Sequence, residues 1–201
     1  MRLPNTAHTS RPWRIHEIAP DFRLVDVWEL PARGGPGDFP RLVQLLVSFD
    51  PSRAPSRVAR LLWAIRWKAG EMFGWDLPPG GPGASVPTLR DRLPADLRDG
   101  PSGPNFGPVP FTPLYLTDDE FAAEVANRTV HGMLHIGWVP DGSGGFRGQL
   151  AVLVKPNGLL GTMYLALISP FRHLIVYPAV MRQVREMWER GGDIAAPARV
   201  H

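Results

Sequence analysis

The chain has 201 residues, 44% of them hydrophobic and 20% charged, a composition typical of a globular protein long enough to bury one core. Its 22 basic and 19 acidic side chains leave a net charge of +3, which is too small, unless the charge is clustered, for the strong field of a nucleic-acid-binding protein. The absence of cysteine excludes disulfides, thiolate nucleophiles and cysteine-ligated metals. We therefore expect one domain over residues 1–190, no nucleic-acid partner, and a flexible tail over residues 191–201.

Two segments bear on a membrane location. Residues 1–13 lack the apolar stretch of a secretory signal. Residues 158–181 have almost the length of a membrane span, but Pro170, Arg172 and His173 interrupt them, and a central arginine costs about 2.5 to 3.5 kcal/mol on insertion scales. The sequence therefore favours a buried segment of a cytoplasmic protein over a transmembrane helix.

The first predicted elements are a strand and a short helix. Residues 22–30 alternate apolar and polar side chains and end in a Pro/Gly-rich turn over residues 31–37, which is typical of a strand. Asp38 can cap a first helix that continues to Val47.

A second helix and a long loop follow. From residue 52 or 56 to residue 73, apolar side chains recur every three or four positions, which predicts a helix with an arginine-rich outer face. Between residues 76 and 113 lie ten prolines and six glycines, which predict a loop with one short helical turn at Pro94–Asp99. Such a loop is either a lid over a site or an extended surface segment.

The second half of the chain predicts strands and then a helix. Thr117 and Glu120 have the spacing of a capping box, so local propensity favours a helix over residues 118–127. Residues 129–139 and 146–155, separated by a glycine-rich turn, predict a β-hairpin. After Gly158 a wide apolar stripe predicts a long C-terminal helix, interrupted by prolines, that ends near residue 190.

Four segments carry a family resemblance: Pro113–Glu120 (PLYLTDDE), Ala126–Gly132 (ANRTVHG), Val152–Gly158 (VLVKPNG) and Pro170–His173 (PFRH). The chain resembles a domain-of-unknown-function family of bacterial proteins that is grouped with the START and polyketide-cyclase (SRPBCC) superfamily. The resemblance implies an α+β helix-grip fold, similar to START and Bet v 1 domains, with two shorter helices after the first strand. In that fold a curved antiparallel sheet wraps around a long C-terminal helix and encloses a cavity. It also implies a strand, instead of the helix favoured locally, over residues 120–126. The family has no established activity to carry over.

Two histidines on one predicted strand are the first candidates for chemistry. His131 and His135 have the spacing of a helical zinc motif, but on a strand they lie roughly 13 Å apart at about 3.3 Å per residue, so we predict no metal site and no cofactor. They share a face with Met133. Glu120 and Glu124 on the neighbouring strand could pair with them as acid/base groups, or form solvated cross-strand contacts.

A second candidate group lies near the C-terminal helix. His173 and Tyr177 share a helical face, and Arg172 could fix a carboxylate or phosphate while His173 moves a proton. In the alternative reading Arg172 emerges at the surface and the other two side chains cap the core. With Trp138 and Met133, these three form the predicted ligand-binding set.

The sequence leaves three classes of function open. The leading hypothesis is a carrier that binds a hydrophobic or amphipathic small molecule between sheet and C-terminal helix. The alternative is an enzyme of the cyclase, dehydratase or hydrolase kind, with His131, His135, Glu124 or His173 as acid/base residues. The third is a membrane-surface or protein-interaction module that uses the arginine-rich face of the second helix and the apolar C-terminal stretch for peripheral contact. Self-association through the convex face of the sheet, giving a homodimer, also stays open.

Overall fold

The computed structural model describes residues 1–48, 87–107, 109–126, 130–156, 158 and 172–195. The strands are β1 (Arg23–Gly34), β2 (Thr112–Leu116), β3 (Glu120–Ala126), β4 (Val130–Pro140) and β5 (Phe146–Pro156). The helices are α1 (Thr6–Thr9), α2 (Ile15–Ile18), α3 (Phe39–Val47), α4 (Ala95–Arg98) and α5 (Tyr177–Ala195). Two 3-10 turns cover Pro36–Asp38 and Leu89–Arg92, and a π-helical turn over Arg172–Val176 precedes α5.

The five strands form one antiparallel sheet in the order β1-β5-β4-β3-β2. With α5 packed against it, this curved open sheet gives the chain an α+β, helix-grip-like fold, which confirms the predicted fold class. The β4–β5 hairpin pairs without a break from Val130↔Pro156 to Pro140↔Phe146, as the glycine-rich turn indicates.

Both edge strands contain a proline, and both were misread from the sequence. β1 continues through Pro31 to Gly34, so the turn predicted over residues 31–37 begins too early. β2 lies partly within the predicted 76–113 loop. In each strand the pairing shifts register near the proline, between Glu29 and Arg33 in β1 and between Pro113 and Tyr115 in β2. An edge strand tolerates a proline because one side of its backbone has no ladder partner.

The capping-box signal before β3 is a real local contact with a different consequence. The Thr117 hydroxyl accepts a hydrogen bond from the Glu120 amide at 2.9 Å, as it would at a helix start. The Thr117 amide donates to the Glu120 carbonyl at 2.8 Å, which closes a tight turn between β2 and β3. The chain therefore enters the strand that the family resemblance implies, and the helix favoured locally over residues 118–127 is wrong.

The two faces of the sheet are covered by different elements. The helix face packs on α3 and α5 through buried side chains such as Leu30, Phe121 and Ile136. The opposite face, called here the arm face, packs on residues 1–19 (the N-terminal arm) and on the segment Leu89–Arg98. Since both faces are buried, the convex sheet surface considered above for self-association is occupied by the chain itself.

Two glycines allow this close packing. A Cβ on Gly137 in β4 would lie 2.7 Å from the Trp13 ring on the arm face. A Cβ on Gly148 in β5 would lie 2.7 Å from Leu42 of α3 on the helix face. Each glycine therefore provides the space into which one covering element inserts a large side chain.

Some predicted features are tested and others are not. The short helical turn predicted at Pro94–Asp99 is present as α4. The second helix, the start of the loop at 76–86 and the chain between residues 159 and 171 lie outside the described residues. The C-terminal helix continues to Ala195, five residues past its predicted end near 190, and the flexible tail stays a prediction.

Candidate functional site

A buried carboxylate on β1 brings together the side chains at the start of α5. Asp26 is completely buried on the helix face. One of its oxygens, Oδ1, lies 2.5 Å from Nε2 of His173. The other, Oδ2, accepts a hydrogen bond from the Tyr177 hydroxyl at 3.0 Å and forms an ion pair with the Arg172 guanidinium at 2.9 Å. Arg2, more than half exposed, lies 3.7 Å from Oδ1.

Local backbone irregularities place these groups. The β1–β5 register shifts between Leu24 and Asp26, and such bulges re-aim side chains. The π-helical turn Arg172–Val176 is wider than an α-helical turn, and the neighbours Arg172 and His173 both reach one carboxylate from it. π-helical turns are rare and occur frequently at functional sites.

An aromatic side chain completes this group, which we call the Asp26 cluster (Asp26, Trp28, Arg172, His173 and Tyr177). The Trp28 ring packs against Tyr177 at 4.7 Å between centroids and lies stacked at 6.4 Å from His173. Two buried donors of the Asp26 cluster, Trp28 Nε1 and Arg172 Nε, have no acceptor within the described part of the chain. Burial and the neighbouring Asp26 charge raise the pKa of Tyr177, so its hydroxyl stays protonated and donates.

The predicted ligand-binding set is divided by the fold. Arg172, His173 and Tyr177 lie together, with Arg172 directed to a buried partner and not to the surface. Trp138 shares their sheet face but packs against Phe39, Phe146 and Trp188, with its indole N–H bonded to the Gly35 carbonyl at 2.9 Å. Met133 is buried on the arm face, so it does not line the same space.

The other candidate residues form two pairs on the arm face. His131 and Glu124 are 2.7 Å apart, and His135 and Glu120 are 3.1 Å apart. The antiparallel register sets Ala126 opposite His131 and Ala122 opposite His135, so each histidine reaches a glutamate two residues along the neighbouring strand. The glutamates and histidines do pair across the strands, but the pairs are buried and not solvated, and a catalytic role for them stays a prediction.

Each glutamate of these pairs also holds a helical turn onto the sheet. Both oxygens of Glu120 accept hydrogen bonds from the Arg14 amide, at 3.0 and 3.1 Å, where α2 begins. Glu124 accepts from the Leu89 amide at 3.1 Å and from the Thr88 hydroxyl, where a 3-10 turn begins. Carboxylates at such positions satisfy backbone donors that the turn leaves unpaired.

Burial opposes the charge on these carboxylates, but their donors prevail. For Glu120 the donors are His135, the Arg14 amide and Tyr115; for Glu124 the first is His131. The pKa of each carboxyl group is lowered as a result. Since both pairs are fully buried and bonded inward, their contacts are those of structural anchors.

A third set of residues, on the N-terminal arm, had no signal in the sequence. His8 is completely buried, and its Nε2 lies 3.1 Å from Nδ1 of His135. The ring of His16 meets His8 edge-on at 4.9 Å, and Trp13 lies 5.2 Å from the His135 ring. Periodicity cannot reveal such a contact, because helices of only four residues carry no repeating pattern.

A metal site is not formed by these side chains. Among the described residues, no group of three or more histidine, aspartate or glutamate side chains has the geometry to hold a metal ion. The described residues also contain no helix long and apolar enough to cross a bilayer.

Comparisons with known proteins place the chain in a family. Comparison with curated proteins and with solved structures gave no match. Residues 18–179 match the family described as protein of unknown function (DUF2867), a match that includes the whole sheet and the Asp26 cluster. Because this match extends over most of the chain, the protein belongs to the DUF2867 family.

Proposed function

We propose that this protein binds a small amphipathic molecule through an anionic oxygen, such as a carboxylate, at the junction of β1 and α5. The observation that carries the proposal is a pair of buried donors in the Asp26 cluster, Trp28 Nε1 and Arg172 Nε, that have no acceptor among the described residues. A buried donor without an acceptor destabilises a fold by about 1 to 3 kcal/mol, so such donors mark a place where a ligand supplies the acceptor.

The surroundings of the two donors suit an amphipathic ligand. Arg172 retains a positive guanidinium whose charge Asp26 partly balances, and Trp28 and Tyr177 supply apolar ring surface beside it. Leu174 and Val176, on the same π-helical turn, are exposed at 77% and 37% and extend the apolar surface outward. The resemblance to the START and polyketide-cyclase superfamily, whose members enclose a cavity between sheet and C-terminal helix, supports the same location.

The test follows the indole N–H of Trp28 by NMR while ligands are added. The probes are a medium-chain carboxylate, an aromatic carboxylate, and the neutral alcohol of each. We expect a carboxylate to shift the Trp28 signal. Arg172→Lys keeps the charge but removes Nε, so about ten times more carboxylate should be needed for the same shift. Arg185→Lys is the matched control, because Arg185 is exposed on α5. A Trp28 signal that no carboxylate moves at millimolar concentration contradicts the proposal.

A second candidate function is acid–base catalysis on the bound molecule. The favouring observation is the 2.5 Å contact between Asp26 Oδ1 and His173 Nε2, since a buried carboxylate that orients a partly exposed imidazole is a recurrent arrangement in general-base catalysis. His173→Gln separates the two functions. It abolishes turnover of a ligand if His173 moves a proton, and it leaves carboxylate binding in place if the protein is only a carrier.

Peripheral membrane contact remains a proposal, as does a homodimer, which would need a surface other than the covered sheet faces. The arginine-rich helix invoked for membrane contact lies outside the described residues, and the exposed Leu174 and Val176 are the apolar side chains that support contact with a surface. Sedimentation with anionic liposomes tests the first idea and analytical ultracentrifugation the second. Binding that 0.5 M salt does not weaken would argue against an electrostatic membrane contact.

A further inference from the structure

On the opposite side of the sheet, under the N-terminal arm, lies a second group of polar atoms that have no hydrogen-bond partner in the described part of the chain. Its members are His8 Nδ1, His16 Nε2, Trp13 Nε1 and Gln149 Oε1. The side chains of His8, Gln149 and Trp13 are buried, with exposures of 0%, 1% and 6%. They belong to one location, because His8 contacts Trp13 and His16, and the Gln149 amide donates to the carbonyl of Ala7 at 3.2 Å.

The hydrogen-bond network fixes the protons on two of the imidazoles. Glu120 is an acceptor for the Arg14 amide, the Tyr115 hydroxyl and His135 Nε2, so Nε2 of His135 carries its hydrogen. In a neutral His135 the other nitrogen, Nδ1, is then an acceptor, and His8 Nε2 must donate to it. The Nδ1 of a neutral His8 is left as a bare lone pair in a buried position.

Neutral imidazoles are what this environment favours. Burial lowers the pKa of His8 to about 2, with further contributions from the neighbouring His135 and His16, and burial lowers the pKa of His135. The unpartnered atoms are therefore two acceptors, His8 Nδ1 and Gln149 Oε1, one donor, Trp13 N–H, and one imidazole nitrogen of His16.

We propose that an O–H group, belonging to a water molecule or to a small neutral hydroxylic ligand, is bound between the N-terminal arm and the sheet, donating to His8 Nδ1 and accepting from Trp13 Nε1. A hydroxyl is the smallest group that donates and accepts at once, and it adds no charge to a buried place that holds neutral histidines. Of the three described aromatic rings near His8, Trp13 is the most distant, at 6.3 Å between centroids against 4.9 Å for His16 and His135.

The site is separate from the Asp26 cluster and does not depend on the proposed function. Trp13 packs on Gly137 of the arm face, whereas the Asp26 cluster lies on the helix face. Occupation of this site would tie Trp13 to His8 within the arm, and His8 in turn contacts the His135–Glu120 pair on the sheet.

The first test replaces Trp13 in the full-length protein by benzothienylalanine, which has the same shape but sulfur in place of the indole N–H. If a hydroxyl accepts from that N–H, the folded-to-unfolded ratio falls about fivefold to tenfold. The same replacement at Trp138, whose N–H donates to Gly35, gives the reference loss for one satisfied bond. An unchanged or higher ratio at position 13 overturns the proposal, because removing an unsatisfied buried donor is neutral or stabilising.

Two further measurements identify the occupant. A high-resolution crystal structure showing a single oxygen within hydrogen-bond distance of both atoms, with no added mass in native mass spectrometry, supports bound water. Added mass that denaturation releases supports a hydroxylic ligand. A stoichiometric transition metal in elemental analysis, or a ¹⁵N-NMR signal showing that His8 is protonated on Nδ1, overturns the assignment.

Discussion

Three buried carboxylates determine much of what individual residues do in this protein. Asp26, Glu120 and Glu124 are at most 4% exposed, and each accepts hydrogen bonds from an imidazole and from other donors. The two glutamates connect β3 to turns that cross the arm face, while Asp26 connects β1 to α5. A buried charge is tolerated when its acceptor capacity is filled in this way, and it becomes costly when one partner is lost.

Neutralising Glu120 tests its role as an anchor. We expect Glu120→Gln to lower the free energy of unfolding by about 2 to 4 kcal/mol, because an amide cannot accept on both atoms from the Arg14 amide, Tyr115 and His135. Urea denaturation measures the change. Asp118→Asn makes the same charge change at an exposed position two residues away, and we expect an effect within about 0.5 kcal/mol. Equal effects of the two substitutions would show that Glu120 is no anchor.

Only some of the residues in the candidate sites could be predicted from sequence patterns. Helical spacing indicated that His173 and Tyr177 share a face, and strand alternation indicated that His131 and His135 do. Asp26, the common partner of His173 and Tyr177, could not be inferred. It lies in a strand about 150 positions earlier, and only the folded sheet brings it to α5. His8 and Trp13 were inaccessible for the same reason: their partners are on β4, and nothing local marks either side chain.

At the scale of elements, local sequence patterns predicted the correct element where pairing with neighbouring strands favours the same structure. The β4–β5 hairpin has alternation, length and turn residues that all favour one structure, and it forms as predicted. The capping-box threonine gave a correct contact and a wrong element, because pairing with β2 and β4 stabilises residues 120–126 as a strand. Prolines at the two sheet edges hid the end of β1 and all of β2.

The contact of the N-terminal arm with β4 depends on one glycine. We expect Gly137→Ala to destabilise the fold by about 1 to 3 kcal/mol, because the new methyl group would overlap the Trp13 ring. Faster hydrogen exchange at residues 6–19, with slow exchange retained in β5, would locate the damage to the arm. Gly37→Ala is the control, since a Cβ there meets nothing within 4 Å. Uniformly faster exchange would argue that the arm and sheet unfold together.

For the whole molecule, the buried histidines make stability depend on pH. An unfolded histidine takes up a proton near pH 6.5, whereas the folded pKa of His8 is about 2 and that of His135 is lowered, so the folded state binds fewer protons below pH 6.5. Their contribution is complete above pH 6.5 and is lost as the pH falls from there. Glu120 and Glu124, whose pKa values are also lowered, add a loss below about pH 4.5.

Urea unfolding at pH 7.5, 6 and 5 measures this dependence. We expect the free energy of unfolding to fall between pH 6.5 and pH 5, by up to about 1.4 kcal/mol per pH unit for each fully shifted histidine. The His8→Gln variant is less stable at pH 7.5 but has a shallower pH dependence, because one titrating group is gone. A wild-type stability that stays level down to pH 5 would contradict neutral, buried histidines at these positions.

The first three residues also determine how the sheet ends. β1 is an edge strand, and the first residues of the chain pair with part of its outer side: the Leu3 amide donates to the Val27 carbonyl at 2.9 Å, and the Glu29 amide donates to the Met1 carbonyl at 2.8 Å. An unpaired edge is a template for strands of other molecules. Proteolytic removal of these residues would therefore break two hydrogen bonds and leave this part of the β1 edge unpaired. We expect intermolecular β-pairing and aggregation as the result.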